Sequence, residues 1–100
     1  MDRQNLQTLL EETLGSSNVY FQPPPSVQMK YPAIVYNRDD VDTKYAGNNP
    51  YSQTKRYEVT VISSNPDSLI PNKVAALPMT AFSRFFSANG LNHDIFTIYF

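Results

Sequence analysis

The chain carries one histidine, His93, and no cysteine. A nucleophilic triad would therefore have to be built on that single imidazole. Its sequence neighbour Asp94 is a poor third member, because adjacent residues of a strand point to opposite faces. No glycine-flanked nucleophile elbow and no phosphate-cradling loop occurs anywhere in the sequence. A lone histidine just after a turn reads as a surface hydrogen-bonding group, and no catalytic constellation is expected.

The sharpest acidic cluster is Asp39, Asp40 and Asp42. Carboxylates two residues apart could share a hard cation such as calcium or magnesium. The stretch "DDVDTKYAG" lacks the ordered oxygen ligands, glycine and distal glutamate of a calcium loop, and Arg38 and Lys44 bracket it with positive charge. It reads as a solvated loop with weak ion pairs. The functional alternative is a set of salt bridges between subunits made by Arg38, Asp39, Asp40, Asp42 and Lys44. The other cations, Lys30, Lys55, Arg56 and Arg84, are scattered among tyrosines, and the net charge is −1. Basic and aromatic residues interleaved in this way can bind single strands, but the charge balance gives no case for sequence-specific nucleic-acid binding. No cofactor or metal site is indicated, and an enzyme is not expected.

These residues must be positioned by one domain, the norm at 100 residues. A chain of this length buries about two-thirds of the surface its unfolded form exposes, enough for a modest core. No apolar run approaches the length of a bilayer span and no signal peptide is apparent, so no membrane partner is expected. Residues 2–14, "DRQNLQTLLEETL", place Leu6, Leu9, Leu10 and Leu14 at helical spacing, with Asp2 as a candidate cap and Gly15 as the stop. "NVYF" (18–21) reads as a short strand ended by Pro23, Pro24 and Pro25, which cannot donate to a ladder. "QPPPSVQMKYP" then reads as a stiff crossover leading into a second strand at 32–37.

Residues 38–52, with Gly47, Asn48, Asn49 and Pro50, read as a long polar loop. "TKRYEVTVISS" (54–64) alternates as a half-buried strand, and a short helix near 68–77 is bounded by "NPDS" and Pro78. "AFSRFFSA" and "LNHDIFTIYF" flank Asn89-Gly90, a strong hairpin signal. The order α-β-β-β-α-β-β implies an α+β fold: a mostly antiparallel sheet of four to five strands with two helices packed on one face.

The last strand departs from simple patterning. In "DIFTIYF", Ile95 and Tyr99 face one way and Phe96, Ile98 and Phe100 the other. A sheet with one solvated face alternates apolar and polar residues, so both faces of this strand ask to be covered. Either the long loop covers the outer face or a second copy does, because obligate interfaces resemble a core cut in half. Tyr36, Tyr57, Phe96, Ile98 and Phe100 are the candidates for fold or interface packing.

Taken in order, the glycine-terminated helix, "NVYFQPPP", "KYPAIVY", "RYEVTVIS", a short helix and "GLNHDIFTIYF" resemble the small neck and tail-completion proteins of long-tailed bacteriophages. The likeness is strongest to the tail-terminator group and covers nearly the whole chain, on order and spacing rather than on any invariant motif. It implies a non-enzymatic virion protein of the neck and tail, assembled in the host cytoplasm. Such a protein forms a ring, usually a hexamer, that caps the tail tube and joins it to the head, with DNA passing through its opening. The implied partners are further copies of itself, the tail tube protein and the head-tail connector proteins. A head-side connector or stopper shares these features. A small binding module presenting "QPPPSVQMKYP" as a polyproline ligand is the reading from a different class.

Overall fold

The computed structural model describes residues 3–46, 49–65 and 67–100. Its elements run α1 (Arg3–Leu14), β1 (Val19–Phe21), β2 (Ala33–Ala46), β3 (Asn49–Ser63), α2 (Ile70–Ala75), β4 (Thr80–Ala88) and β5 (Leu91–Tyr99). The fold is α+β, built on one five-stranded sheet in the order β1-β2-β3-β5-β4. β1 pairs with β2 in parallel, and the other three pairings are antiparallel.

Each boundary has a local cause. Gly15 (φ +82°) takes the left-handed conformation that ends α1, and its amide donates to the Glu11 carbonyl at 2.9 Å. The proposed cap Asp2 lies outside the described residues. Asn89 and Gly90 have φ of +54° and +75°, the positive pair that a tight two-residue hairpin turn requires. Pro71 stands in the first turn of α2, where its missing N–H costs nothing. Ahead of α2, Asn65 Oδ1 accepts from the Asp67 amide at 3.0 Å and Ser68 Oγ from the Ile70 amide at 3.3 Å. Ser68 thus serves the first N–H of the helix, while Leu69, at the cap position, makes no side-chain bond.

Two parallel neighbours need a connection that returns the chain along the whole strand. Because β1 is three residues long, the proline segment 22–32, folded at a turn in which the Val27 amide donates to the Pro24 carbonyl at 3.1 Å, suffices without a helix. That segment is tied down at both ends. The Gln22 amide donates to the Tyr36 carbonyl at 3.0 Å, and the Lys30 amide donates to Tyr20 Oη at 3.2 Å.

The expected loop at 38–52 is not a loop. β2 continues to Ala46 and β3 begins at Asn49, with partners from Arg38↔Tyr57 to Ala46↔Asn49. β5 meets β3 only from Arg56 to Ser63, and β1 meets β2 only at residues 34–36. The far half of the β2–β3 hairpin is therefore a two-stranded arm, paired with itself alone. The sequence alternates there, Val41, Thr43 and Tyr45 against Asp40, Asp42 and Lys44, which is the period of a strand.

The core is a single cluster. Leu6, Leu10 and Leu14 of α1 and Val74 of α2 meet Val19, Ile34, Tyr36, Tyr57, Val59, Val61, Phe96 and Ile98 from the strands. Burying each large apolar side chain contributes about 1.5–3 kcal/mol. At one edge of this cluster Tyr36 ties helix to sheet. Arg3 Nη1 donates to its hydroxyl at 3.0 Å, and the hydroxyl donates to Gln7 Oε1 at 2.6 Å. Gln7 Nε2 reaches the Val19 carbonyl at 3.1 Å, and the Arg3 guanidinium lies 4.5 Å above the Phe21 ring. Burial raises the Tyr36 pKa above the ordinary phenol value of 10.0, against a smaller lowering by Arg3.

Because the folded protein holds Tyr36 protonated beyond the pH at which the unfolded chain ionises, its contribution is complete below pH 10 and is lost as the pH rises further. Tyr36→Phe is expected to lower stability by about 1–2 kcal/mol at neutral pH, leaving Gln7 Oε1 without its donor. The same variant should flatten the loss of stability above pH 10, as read by urea unfolding across pH 8–11.

Candidate interaction surface

The sheet has two edges, and they are treated differently by the sequence. The β1 edge is three residues long and runs directly into three prolines. Short strands and prolines are the usual means of blunting an edge against unwanted pairing. The β4 edge has nine residues, one charge (Arg84) and no proline. Its outer row of N–H and C=O groups has no partner among the described residues. Eight of the nine residues are exposed.

Three phenylalanines stand on this open edge: Phe82, Phe85 and Phe86 are 58%, 55% and 42% exposed. A bulge at Ser83, between the pairs Phe82↔Phe96 and Arg84↔Ile95, shifts the alternation. Phe82 therefore leans edge-on against Phe96, with ring centroids 5.5 Å apart. Phe86 stacks flat on His93 at 4.4 Å. The imidazole so covered leaves Nδ1 buried without a hydrogen-bond partner among the described residues. His93 is thus a packing group under Phe86 rather than the surface hydrogen-bonder that its position after the turn suggested. Leu69 and Met79, 67% and 69% exposed, extend the apolar area toward the ends of α2.

Phe85 also lines a cleft of about 370 Å³ with Leu69, Pro71, Asn92 and the carboxylates of Asp67 and Asp94. Burial raises the Asp94 pKa above the ordinary carboxyl value, and nearby His93 opposes this in part. Among the described residues, no three His, Cys, Asp or Glu side chains gather into a metal-binding group. The cleft is open to solvent and mixes apolar lining from Leu69, Pro71 and Phe85 with polar lining from Asp67, Ser68, Asn72, Asn92 and Asp94.

The residues singled out from the sequence divide into two groups. Tyr36, Tyr57, Phe96 and Ile98 are at most 2% exposed and belong to the protomer's own core, with Phe100 packed against it. The doubly apolar last strand buries residues on both faces within the protomer: Phe96 and Ile98 in the core cluster, and Ile95, which alternates to the other face, at 2% exposure. The covering loop anticipated for its outer face does not exist. At the root of the arm, Arg56 Nε donates to Asp39 Oδ2 at 2.9 Å. Arg56 is held more firmly protonated, first by the Tyr99 hydroxyl and then by Asp39. Asp39 has therefore found its cation within its own protomer. Arg38 is exposed. The side chains of Asp40, Asp42 and Lys44 lie outside the described residues.

The surface that sequence reading passed over is β4. Its excess of phenylalanine was visible in "FSRFF", but its place at the edge depended on which strand of the last hairpin sits next to β3. Because Phe85 is exposed and Phe96 is buried, their truncations should part company. Phe96→Ala should cost about 3–5 kcal/mol through lost burial and a cavity. Phe85→Ala should stay within about 0.5 kcal/mol in the isolated protomer, as measured by urea unfolding at low protein concentration.

Compared with the sequence models of known protein families and with curated proteins, the chain has no match in either.

Proposed function

We propose that the protein is a self-assembling structural subunit whose copies join through the β4 edge. In this reading it is a ring-forming neck or tail-completion protein of a long-tailed bacteriophage, of the tail-terminator kind. The strand edges are, in this reading, where copies join. The observation that carries the proposal is the nine-residue β4 edge, unpaired along its outer side and bearing three exposed phenylalanines. A long exposed apolar edge is either an aggregation hazard or an interface. A protein that blunts its other edge with prolines and leaves this one open has the asymmetry of a head-to-tail building block.

Contacts of that type close into a ring when the rotation between copies divides a full turn, and otherwise run on as a filament. A closed ring with an opening suits a role at the end of a tail tube. It offers one rim to the tube, whose polymerisation it halts, and the other to the head-side connector. The "YPAIVY", "RYEVTVIS" and "GLNHDIFTIYF" strands that carry the resemblance to tail terminators are the structure's β2, β3 and β5. A head-side stopper would use the same kind of ring.

Light scattering or native mass measurement at micromolar concentration tests this reading. A mass that is a fixed multiple of the protomer is expected, together with a shift to monomer in Phe85→Lys/Phe86→Lys with unfolding temperature kept. A wild-type protein that remains monomeric across the micromolar range contradicts the proposal.

A further inference from the structure

The reading of β4 as an assembly edge leaves open what it pairs with, and the topology narrows the choice to three strands. The first is β1 of the next copy. β1 offers three residues before the proline segment begins, so two-thirds of β4 would stay open. The second is β4 of a copy related by a two-fold axis. Full antiparallel overlap of Thr80–Ala88 with itself sets Arg84, the middle residue, opposite its own counterpart. Like charges directly opposite are destabilising, and Arg84 is the strand's one charge.

The third is the outer edge of β2 in the arm. Beyond its short pairing with β1 and the Arg38 amide, which donates to Gln22 Oε1 at 3.3 Å, β2 runs on to Ala46. Among the described residues no further strand lies on its outer side there, a stretch nearly the length of β4. The strand sense also agrees. β3 runs opposite to β2, β5 opposite to β3 and β4 opposite to β5. β4 of one copy thus meets β2 of the next antiparallel when copies follow one another head to tail. Antiparallel pairing is the slightly more stable arrangement per residue.

Charge agrees as well. In segment 38–46, "RDDVDTKYA", Asp39 is already paired with Arg56, which leaves Asp40 and Asp42 beside Arg38 and Lys44, whereas β4 holds a single arginine. Full antiparallel overlap brings Asp42 opposite Arg84, to within the one-residue offsets of the register shifts at Asp39 and Ser83. Residues directly opposite in a sheet are neighbours, and opposite charges there favour the pairing.

We infer that the arm strand of one copy, residues 38–46 of β2, adds to the β4 edge of the next and continues the sheet across the subunit boundary. The occupant of the open edge is thus a second copy of this chain, through a segment that its own fold leaves half-paired. The inference rests on the proposed self-assembly and assigns its contact.

Paired cysteines test it, because the chain has none of its own. Within one protomer β2 and β4 are three strand spacings apart, about 14 Å. A disulfide requires Cα atoms closer than about 7 Å, so it cannot form internally. Thr43→Cys/Ser83→Cys should give, on mild oxidation, a ladder of covalent oligomers that ends at the assembly's subunit number. Arg84→Cys alone should give no crosslinked dimer. As a second arm, Arg84→Asp and Asp42→Arg should each raise the concentration for half-assembly by about three- to tenfold, and the double variant should recover most of the loss.

An oligomer by light scattering that yields no ladder and no rescue by the charge swap overturns the arm contact and leaves self-assembly standing. A dimer crosslinked by Arg84→Cys alone also overturns it, in favour of two-fold β4 pairing, which sets Arg84 opposite its own counterpart. A strict monomer under all conditions overturns both the contact and the reading on which it rests.

Discussion

The structure turns on the insertion of the C-terminal strand between β3 and β4. A hairpin's second strand can lie on either side of its first. Here β5 takes the inner position, where each face of the strand contributes to a buried surface. Ile95, Phe96 and Ile98 are all at most 2% exposed as a result. The same placement pushes β4 outward and makes it an edge. One choice of strand order therefore satisfies the most hydrophobic segment of the chain and exposes the next most aromatic one. Had β4 and β5 exchanged places, Phe82, Phe85 and Phe86 would be interior, and Ile95, Phe96 and Ile98 would stand on the open edge instead.

Around that choice the two edges divide the work. The prolines after β1 hold a crossover that Gln22 and Lys30 fasten to the sheet, and they blunt the short β1 edge while the arm of β2 runs on beyond it. Arg3, Gln7 and Tyr36 lock α1 to the strands beside it. The blunt side is thus also the side on which helix and sheet are most firmly tied. The open side has no such fastening. It carries a bulge, three phenylalanines and a cleft with two carboxylates.

Much of the fold was legible because the signals were local. Gly15 ends a helix whose leucines repeat at helical spacing, and Asn89-Gly90 makes the tight turn that its residue types demand. The arm was hidden for a physical reason. It pairs only with itself, and its alternation of Val41, Thr43 and Tyr45 with Asp40, Asp42 and Lys44 holds too few large apolar residues to mark a strand. Aspartate is depleted in strands, and the Gly-Asn-Asn-Pro turn made the whole segment resemble a loop. The choice between fold and interface packing stayed open in the sequence because strand order is not a local property. The sequence marked β5 as apolar on both faces, but a central strand and an interface strand share that pattern. Only the pairing β3-β5-β4 shows that β5 is covered within its own protomer and that β4 is not.

The central claim is that the outer edge of β4 is closed by another copy of the chain. Amide hydrogen exchange across Thr80–Ala88, followed from dilute to assembly-favouring concentration, reads that edge directly. The account predicts that alternate β4 amides, those pointing away from β5, become protected as the particle grows, while the core amides of β3 and β5 hold constant. Assembly with unchanged exchange along β4 would contradict it.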